Sequence, residues 1–175
     1  MTLSEILFRR RSVRKFTDRK VDRQTIDKIL EAALTAPSSK NTRSSRFMVV
    51  DDPTMLERIS QMRDSGSAFV KNAPMAVIVL GDTALTDLWV DNCAISATIL
   101  QLAAEEQGLG SCWVHVNGRP RKKDAPDMGT AAEYLRKLLP IPASWSPLCV
   151  VALGYAADYP APHTAGDDSD KVLFL

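Results

Sequence analysis

Basic side chains are concentrated near the start of the chain, where five of the seven residues 9–15 are Arg or Lys. Before them, Thr2 and Glu5 have the spacing of a helix capping box, so a short helix can hold the cluster in one place. Guanidinium groups beside a serine hydroxyl and free backbone N–H groups suit a phosphate monoester, whose oxygens accept hydrogen bonds. The alternative is a solvated charged surface, because basic runs often serve solubility.

Five sequence blocks with recognisable patterns are spread over almost the whole chain. Residues 10–16 read Arg-Arg-Ser-Val-Arg-Lys-Phe, and residues 36–41 read Ala-Pro-Ser-Ser-Lys-Asn. Residues 71–80 pass from Lys-Asn-Ala-Pro into an apolar run, residues 91–113 end in Gly-Leu-Gly-Ser-Cys-Trp, and residues 147–155 contain Pro-Leu and Leu-Gly-Tyr. In this order the blocks resemble the FMN-dependent nitroreductase family, and within it a subgroup of small NAD(P)H nitroreductases.

The resemblance implies an α+β fold in a single nitroreductase-like domain over residues 1–175. A central mixed, mainly antiparallel sheet would be flanked by helices, and the protein would form a homodimer. The C-terminal arm, about residues 156–175, would be exchanged between the protomers. Its apolar end has to be covered somewhere, so the alternative is that the arm packs on its own domain.

The resemblance also implies FMN-binding roles for the basic cluster. Arg10, Arg11 and Ser12 would hold the phosphate and the ribityl chain. Arg14 would lie towards N1 and O2 of the flavin, where a fixed cation favours the anionic reduced form.

Two further segments complete the site that the family implies. The loop residues that would reach the flavin from the other protomer are Pro37, Ser38, Ser39 and Asn41. Backbone around His115 and Val116 would contact N5, and Arg119 follows where a related subgroup also carries an arginine.

Each of these residues also has an ordinary structural interpretation. The serines and Asn41 can form a turn after Pro37, and His115 can be an outward polar residue of a strand. Arg119 belongs to the charged run 119–123, which is typical of a solvated loop.

The implied activity is electron transfer from NADH or NADPH to an oxidised acceptor, such as a nitroaromatic or a quinone, by a ping-pong mechanism. The chemistry would take place on FMN, so no side chain is expected to be a catalytic acid or base. The alternatives are a flavin-binding or storage protein of low turnover, and a dehalogenase or dehydrogenase relative with the same FMN site.

Two segments depart from the family pattern. Many members have Gln-Pro-Trp after the loop asparagine, where this chain has Arg43-Ser44-Ser45. Many also have a C-terminal Lys-x-Arg pair that helps to hold the phosphate, where this chain has residues 162–166. Phosphate binding would then depend more on the N-terminal cluster, with Arg119 or His163 as further candidates.

Composition excludes several other classes of protein. A formal net charge of +1 argues against a protein that binds nucleic acid by bulk electrostatics. Three widely spaced cysteines and two histidines offer no plausible zinc ligand set, so the cysteines are predicted to be core residues. No signal peptide pattern opens the chain, and the uncharged run 140–157 contains three prolines, so we expect a cytoplasmic protein without a membrane span.

Hydrophobic periodicity predicts the elements that would position these residues. Asp22 is expected to cap a helix that stops before Pro37, and a long helix over 87–107 is expected to be apolar on more than one side. A short helix follows Asp52, and another covers about 130–139. Strands are predicted over 47–50, 75–80, 111–116 and 148–153.

Overall fold

The structure is a computed structural model that describes residues 1–166 and 168–175. Its centre is an antiparallel sheet with the strand order β1-β2-β4-β3, so β1 and β3 form its edges. The strands are β1 (Ser45–Val50), β2 (Met75–Asp82), β3 (Gly110–His115) and β4 (Trp145–Gly154). The helices are α1 (Leu3–Arg9), α2 (Arg23–Leu34), α3 (Pro53–Ser60), α4 (Trp89–Glu106) and α5 (Ala131–Leu138). The predicted α+β class is confirmed, and the sheet is antiparallel throughout its four described strands instead of mixed.

Helix starts follow the predicted local signals. Thr2 and Glu5 form a complete capping box at α1, and the Asp22 carboxylate accepts the N–H of Thr25 at 2.8 Å. Each cap satisfies backbone donors that the first turn of a helix leaves without a partner. Helix α2 ends at Leu34, before Pro37, as predicted.

Two apolar cores lie on opposite faces of the sheet. Alternate residues of β2 point to opposite faces, so Val77 contributes to one core and Ile78 to the other. Helices α2 and α4 cover the first face, and α3 and α5 cover the second. Because β2 is covered on both faces, its sequence is continuously apolar instead of alternating.

The basic segment is fixed to the outer edge of β3. The Val13 N–H donates to the Ser111 carbonyl at 2.9 Å, and the Val13 side chain is fully buried. A Cβ atom at Gly110 would lie 2.8 Å from the Val13 side chain, so only glycine permits this close approach. The segment then continues beside the end of β4, where the Thr17 N–H donates to the Tyr155 carbonyl at 2.8 Å.

The C-terminal arm divides into two parts. Residues 157–163 pack on their own chain, because the Ala157 N–H donates to Lys15 and the His163 N–H donates to Phe8. The final residues 172–175 are exposed, with 92% of the Phe174 surface accessible. The first part of the predicted arm therefore contacts its own domain, and the apolar end remains without a cover in a single copy.

All three cysteines are buried and unpaired, as predicted. Burial raises the pKa of the Cys93 thiol to about 11 and holds the pKa of Cys149 well above its usual range, so both thiols stay protonated. Within the described ranges, no helix combines the length and apolar character that a membrane crossing requires.

Candidate functional site

Glu105 anchors the start of the basic segment. Its carboxylate is only 2% exposed at the end of α4, and it accepts a hydrogen bond from Arg9 Nε at 3.2 Å. The Tyr159 hydroxyl donates to the other carboxylate oxygen. Burial raises the pKa of Glu105, and the Arg9 charge acts in the opposite direction. This single carboxylate therefore joins α1, α4 and the segment after β4.

The next three arginines are left with few partners. Arg10 forms no side-chain hydrogen bond or ion pair with the described residues, and Arg11 donates to the Ala161 carbonyl. Arg14 reaches the Ser12 carbonyl at 3.5 Å and lies 5.9 Å from the centre of the Phe69 ring. No carboxylate of the described ranges forms an ion pair with any of these three arginines. Their guanidinium groups are therefore available to bind an anion beside β3.

A second group of donors surrounds His115 at the end of β3. Arg63 Nη1 donates to the His115 carbonyl at 3.3 Å, while Arg63 Nε is buried with no acceptor among the described residues. Trp113 Nε1 donates to His115 Nδ1 at 3.3 Å, so Nε2 carries the proton of the neutral ring. Burial lowers the pKa of His115, and the charges of Arg119 and Arg63 lower it further.

The turn after β3 decides which backbone groups are available there. The N–H groups of Val116 and Asn117 both donate to the Leu148 carbonyl, at 2.9 and 3.0 Å, and the Val116 carbonyl accepts from Arg119. The Val116 side chain is fully buried. Gly118, with φ +66°, has an N–H group without a partner in the described part of the chain. Gly118 therefore offers a free backbone donor two residues beyond the predicted Val116.

The loop after α2 has an unusual backbone. Lys40, Asn41 and Arg43 have φ values of 50°, 54° and 47°, in the left-handed region that residues other than glycine rarely adopt. Such a conformation costs about 1–3 kcal/mol for each residue. The Ser38 hydroxyl accepts the N–H of Arg43 at 2.8 Å, which closes the turn.

A cavity of about 460 Å³ lies beside this loop. Arg43 and Ser38 stand at its border, and Trp145 and the apolar side chains of α2 and β1 form much of its wall. Arg43 therefore lies at the border of this cavity. It belongs to the segment Arg43-Ser44-Ser45, which departs from the family pattern.

The predicted site residues fall into two groups within one chain. Arg10, Arg11, Ser12, Arg14, His115, Val116 and Arg119 belong to the basic segment, to β3 and to the turn that follows it. The loop with Pro37, Ser38, Ser39 and Asn41 contacts Asn92 in the first turn of α4, whereas Arg9 contacts Glu105 in its last turn. At 1.5 Å per residue, these two contact points are about 20 Å apart along the helix. Within the described residues of one chain, no hydrogen bond or ion pair joins the two groups.

Several residues of the site carry no signal in the sequence. Arg63 follows α3 in a polar loop, and Phe69 lies in a short 3₁₀ helix that was not predicted. Gly118 looks like an ordinary turn glycine. Glu105 and Asn92 could have been noticed as polar residues within the apolar pattern of α4.

The comparisons with known proteins agree with this geometry. The sequence model of the Nitroreductase family matches residues 7–155. A Methanothermobacter thermautotrophicus protein with the provisional name NADH dehydrogenase/NAD(P)H nitroreductase is 38% identical over 163 residues, which cover 91% of this chain and 80% of the relative. An Archaeoglobus fulgidus protein with the same provisional name is 35% identical over 158 residues, covering 88% of this chain and 85% of the relative.

A solved structure agrees as well. An FMN-dependent nitroreductase from Clostridium difficile R20291 superposes with a TM-score of 0.90 at 40% identity, covering 97% of this chain and 96% of that chain.

The surroundings of His115 lead to a prediction about its protonation. We expect an imidazole pKa below the ordinary 6.5, so that the ring is neutral at pH 7. Arg119→Ala removes a cation that disfavours the imidazolium, and the pKa of His115 should rise. NMR titration of the ring protons measures both values, with the two histidines distinguished by His163→Gln. Lys122→Ala, which removes an exposed cation of the same loop, is the control and should leave the pKa unchanged. A wild-type pKa above 6.5 would contradict this account of the site.

Proposed function

The chain belongs to the nitroreductase family, and we propose that it is an FMN-dependent oxidoreductase that takes electrons from NADH or NADPH. The observation that carries this proposal is the set of unused donors beside β3, on Arg10, Arg63 and Gly118. No carboxylate in the described ranges forms an ion pair with Arg10 or Arg63. FMN combines a phosphate with a ring rich in hydrogen-bond acceptors, so its chemistry fits this donor set.

The basic segment would hold the phosphate end of FMN. Arg10 and Arg11 supply planar donors, and the exposed Ser12 supplies a hydroxyl at the point where the segment pairs with β3. The missing C-terminal Lys-x-Arg pair leaves this segment as the main source of positive charge. His163 lies beside α1, where its N–H donates to the Phe8 carbonyl, and could add a ring donor from the same side.

The other donors would face the flavin ring. Arg14 supplies a fixed positive charge for N1 and O2, and Arg63 is a second cation nearby that sequence reasoning did not identify. A neutral His115 adds no further charge, and the Gly118 N–H is a backbone donor available for N5. When bound, FMN supplies the redox chemistry, accepting a hydride from the nicotinamide and passing electrons to the acceptor.

We also propose that the active protein is a homodimer. The loop with Ser38, Ser39 and Asn41 lies about 20 Å along α4 from the Arg9 anchor, and we assign its predicted contact with FMN to a second copy. Exposed apolar residues support an association surface, because Leu3, Leu7 and Phe8 on α1 and residues 172–175 at the arm end are all exposed. In this arrangement the arm end covers apolar surface of the partner.

The acceptor would be a flat oxidised molecule, such as a nitroaromatic or a quinone. Donor and acceptor would take turns at the same flavin face in a ping-pong mechanism. The Arg43-Ser44-Ser45 segment lacks the aromatic residue that many members have there, so it offers a cation beside the cavity instead of a stacking surface.

The reaction has a direct test. Purified protein should be yellow and release FMN, and both nicotinamides should be tried in stopped-flow reduction of the bound flavin. Turnover with menadione should give parallel lines in double-reciprocal plots against donor and acceptor. If neither NADH nor NADPH bleaches the flavin fast enough to support turnover, the oxidoreductase function is wrong and a storage role is favoured.

Cofactor affinity tests the role of the basic segment. Arg10→Ala combined with Arg14→Ala should weaken FMN binding by about ten- to a hundredfold, since a lost charge-assisted contact costs about 1.5–3 kcal/mol. Quenching of flavin fluorescence gives the dissociation constant. Lys20→Ala combined with Lys122→Ala removes two exposed cations outside the basic segment and should have little effect. Equal losses in both double variants would indicate bulk electrostatics instead of a phosphate site.

Truncation tests the exposed arm end. A chain that stops after Lys171 keeps the contacts of residues 157–163 and loses only the last four apolar residues. We expect dimerisation to weaken at least about tenfold, because burying an apolar side chain is worth about 1.5–3 kcal/mol. Sedimentation velocity measures the change, and Lys171→Ala in the full chain is the control. Full-length protein that stays monomeric with FMN bound at micromolar concentration would overturn the proposed dimer.

A further inference from the structure

The strained loop after α2 is held by one buried side chain of another element. Asn92 lies in the first turn of α4, is 2% exposed, and faces the loop. Its Oδ1 accepts the Ser39 N–H at 2.9 Å. Its Nδ2 donates to the Ser44 hydroxyl at 2.9 Å and is 3.4 Å from the Thr42 hydroxyl.

These contacts lie on both sides of the left-handed residues. Ser39 precedes Lys40 and Asn41, and Ser44 follows Arg43. Every side-chain hydrogen bond of Asn92 within the described part of the chain goes to this loop. The amide therefore fixes both ends of a backbone conformation that Lys and Arg would not adopt by local preference.

We propose that Asn92 is a positioning residue, which holds the loop of residues 37–44 in the shape that presents Ser38, Ser39 and Asn41 to a cofactor. This inference rests on the proposed FMN function. Asn92 is buried behind the loop and acts through it. Binding to a loop that is already ordered loses less free energy to ordering the loop. The hydrogen bonds of Asn92 to the loop, called the clamp below, should therefore raise FMN affinity.

The strain makes this role different from ordinary core packing. Left-handed Lys40 and Arg43 favour release of the loop, and the hydrogen bonds to Asn92 oppose that release. The backbone strain and the Asn92 hydrogen bonds thus act in opposite directions on the loop. When those hydrogen bonds are removed, a substitution that lowers the strain should restore part of the loop order. Lys40 is suited to this, because its side chain is exposed and forms no hydrogen bond or ion pair with the described residues.

The main variant is Asn92→Ala in the full-length protein. FMN affinity, from fluorescence quenching, should fall about tenfold. Amide hydrogen exchange of residues 39–44, measured without added FMN, should accelerate at least about tenfold because local opening becomes easier.

The matched control is Ser96→Ala. Ser96 lies one turn further along α4, is equally buried, and donates to the Ser45 hydroxyl at 2.8 Å, just beyond the loop. The Ser96→Ala variant should change the FMN affinity and the hydrogen-exchange rates of residues 39–44 by no more than about twofold.

Rescue by glycine tests the balance. Adding Lys40→Gly to Asn92→Ala lowers the cost of the left-handed conformation, since glycine adopts positive φ readily. The double variant should regain a measurable part of the lost affinity, at least about twofold. A general loss of stability at Asn92 would not be repaired by a glycine in an exposed loop, so absence of rescue would contradict the positioning role.

The outcomes separate this inference from the function on which it rests. Wild-type protein that binds no FMN would overturn the proposed function, and hydrogen exchange of the loop would still test the clamp. Wild-type protein that binds FMN, together with an Asn92→Ala variant that behaves like Ser96→Ala, would overturn the inference alone. If Asn92→Ala does not fold, Ser44→Ala removes one of the same hydrogen bonds from the loop side. It should weaken FMN binding about threefold, and an unchanged affinity would also contradict the proposal.

Discussion

Repulsion among the basic side chains of residues 9–15 is the constraint around which the site is built. Like charges at neighbouring positions favour an open, solvated chain unless the backbone between them is fixed. Here Val13 is buried against Gly110, and its N–H is bonded to β3. Glu105 forms an ion pair with Arg9, and the Asp158 carboxylate lies 3.4 Å from the Lys15 ammonium. The arginines between these anchors keep their charge without a carboxylate partner, which is the state that an anionic ligand requires.

Local signals made much of the fold predictable from the sequence. The capping box of Thr2 and Glu5, the Asp22 cap and the apolar run in β2 act within a few residues, so their consequences could be derived directly. The family blocks added the candidate site residues, and the structure gathers those of the basic segment beside β3. The contacts that could not be predicted join distant positions. Arg63 donates to the His115 carbonyl, and Asn92 accepts the Ser39 N–H. Both hydrogen bonds depend on how the helices pack on the sheet.

Helix α4 separates what the proposed chemistry has to combine. Its last turn holds the basic segment through Glu105, and its first turn holds the strained loop through Asn92. The regular rise of its hydrogen-bonded backbone fixes the distance between its two ends. In the proposed homodimer, each copy would have a complete fold and only part of a site, and association would complete the site without a change in the fold of either copy.

The buried cysteines have a consequence for chemical durability. Quinones are electrophiles that add to thiolates, so an enzyme that handles them risks alkylating itself. The three thiols of this chain are buried, and burial raises the pKa of each, to about 11 for Cys93. At neutral pH almost no nucleophilic thiolate is present, and reagents have little access to the sulfur atoms. The same packing that fills the core thus protects the three thiols from the electrophilic acceptors proposed for the protein.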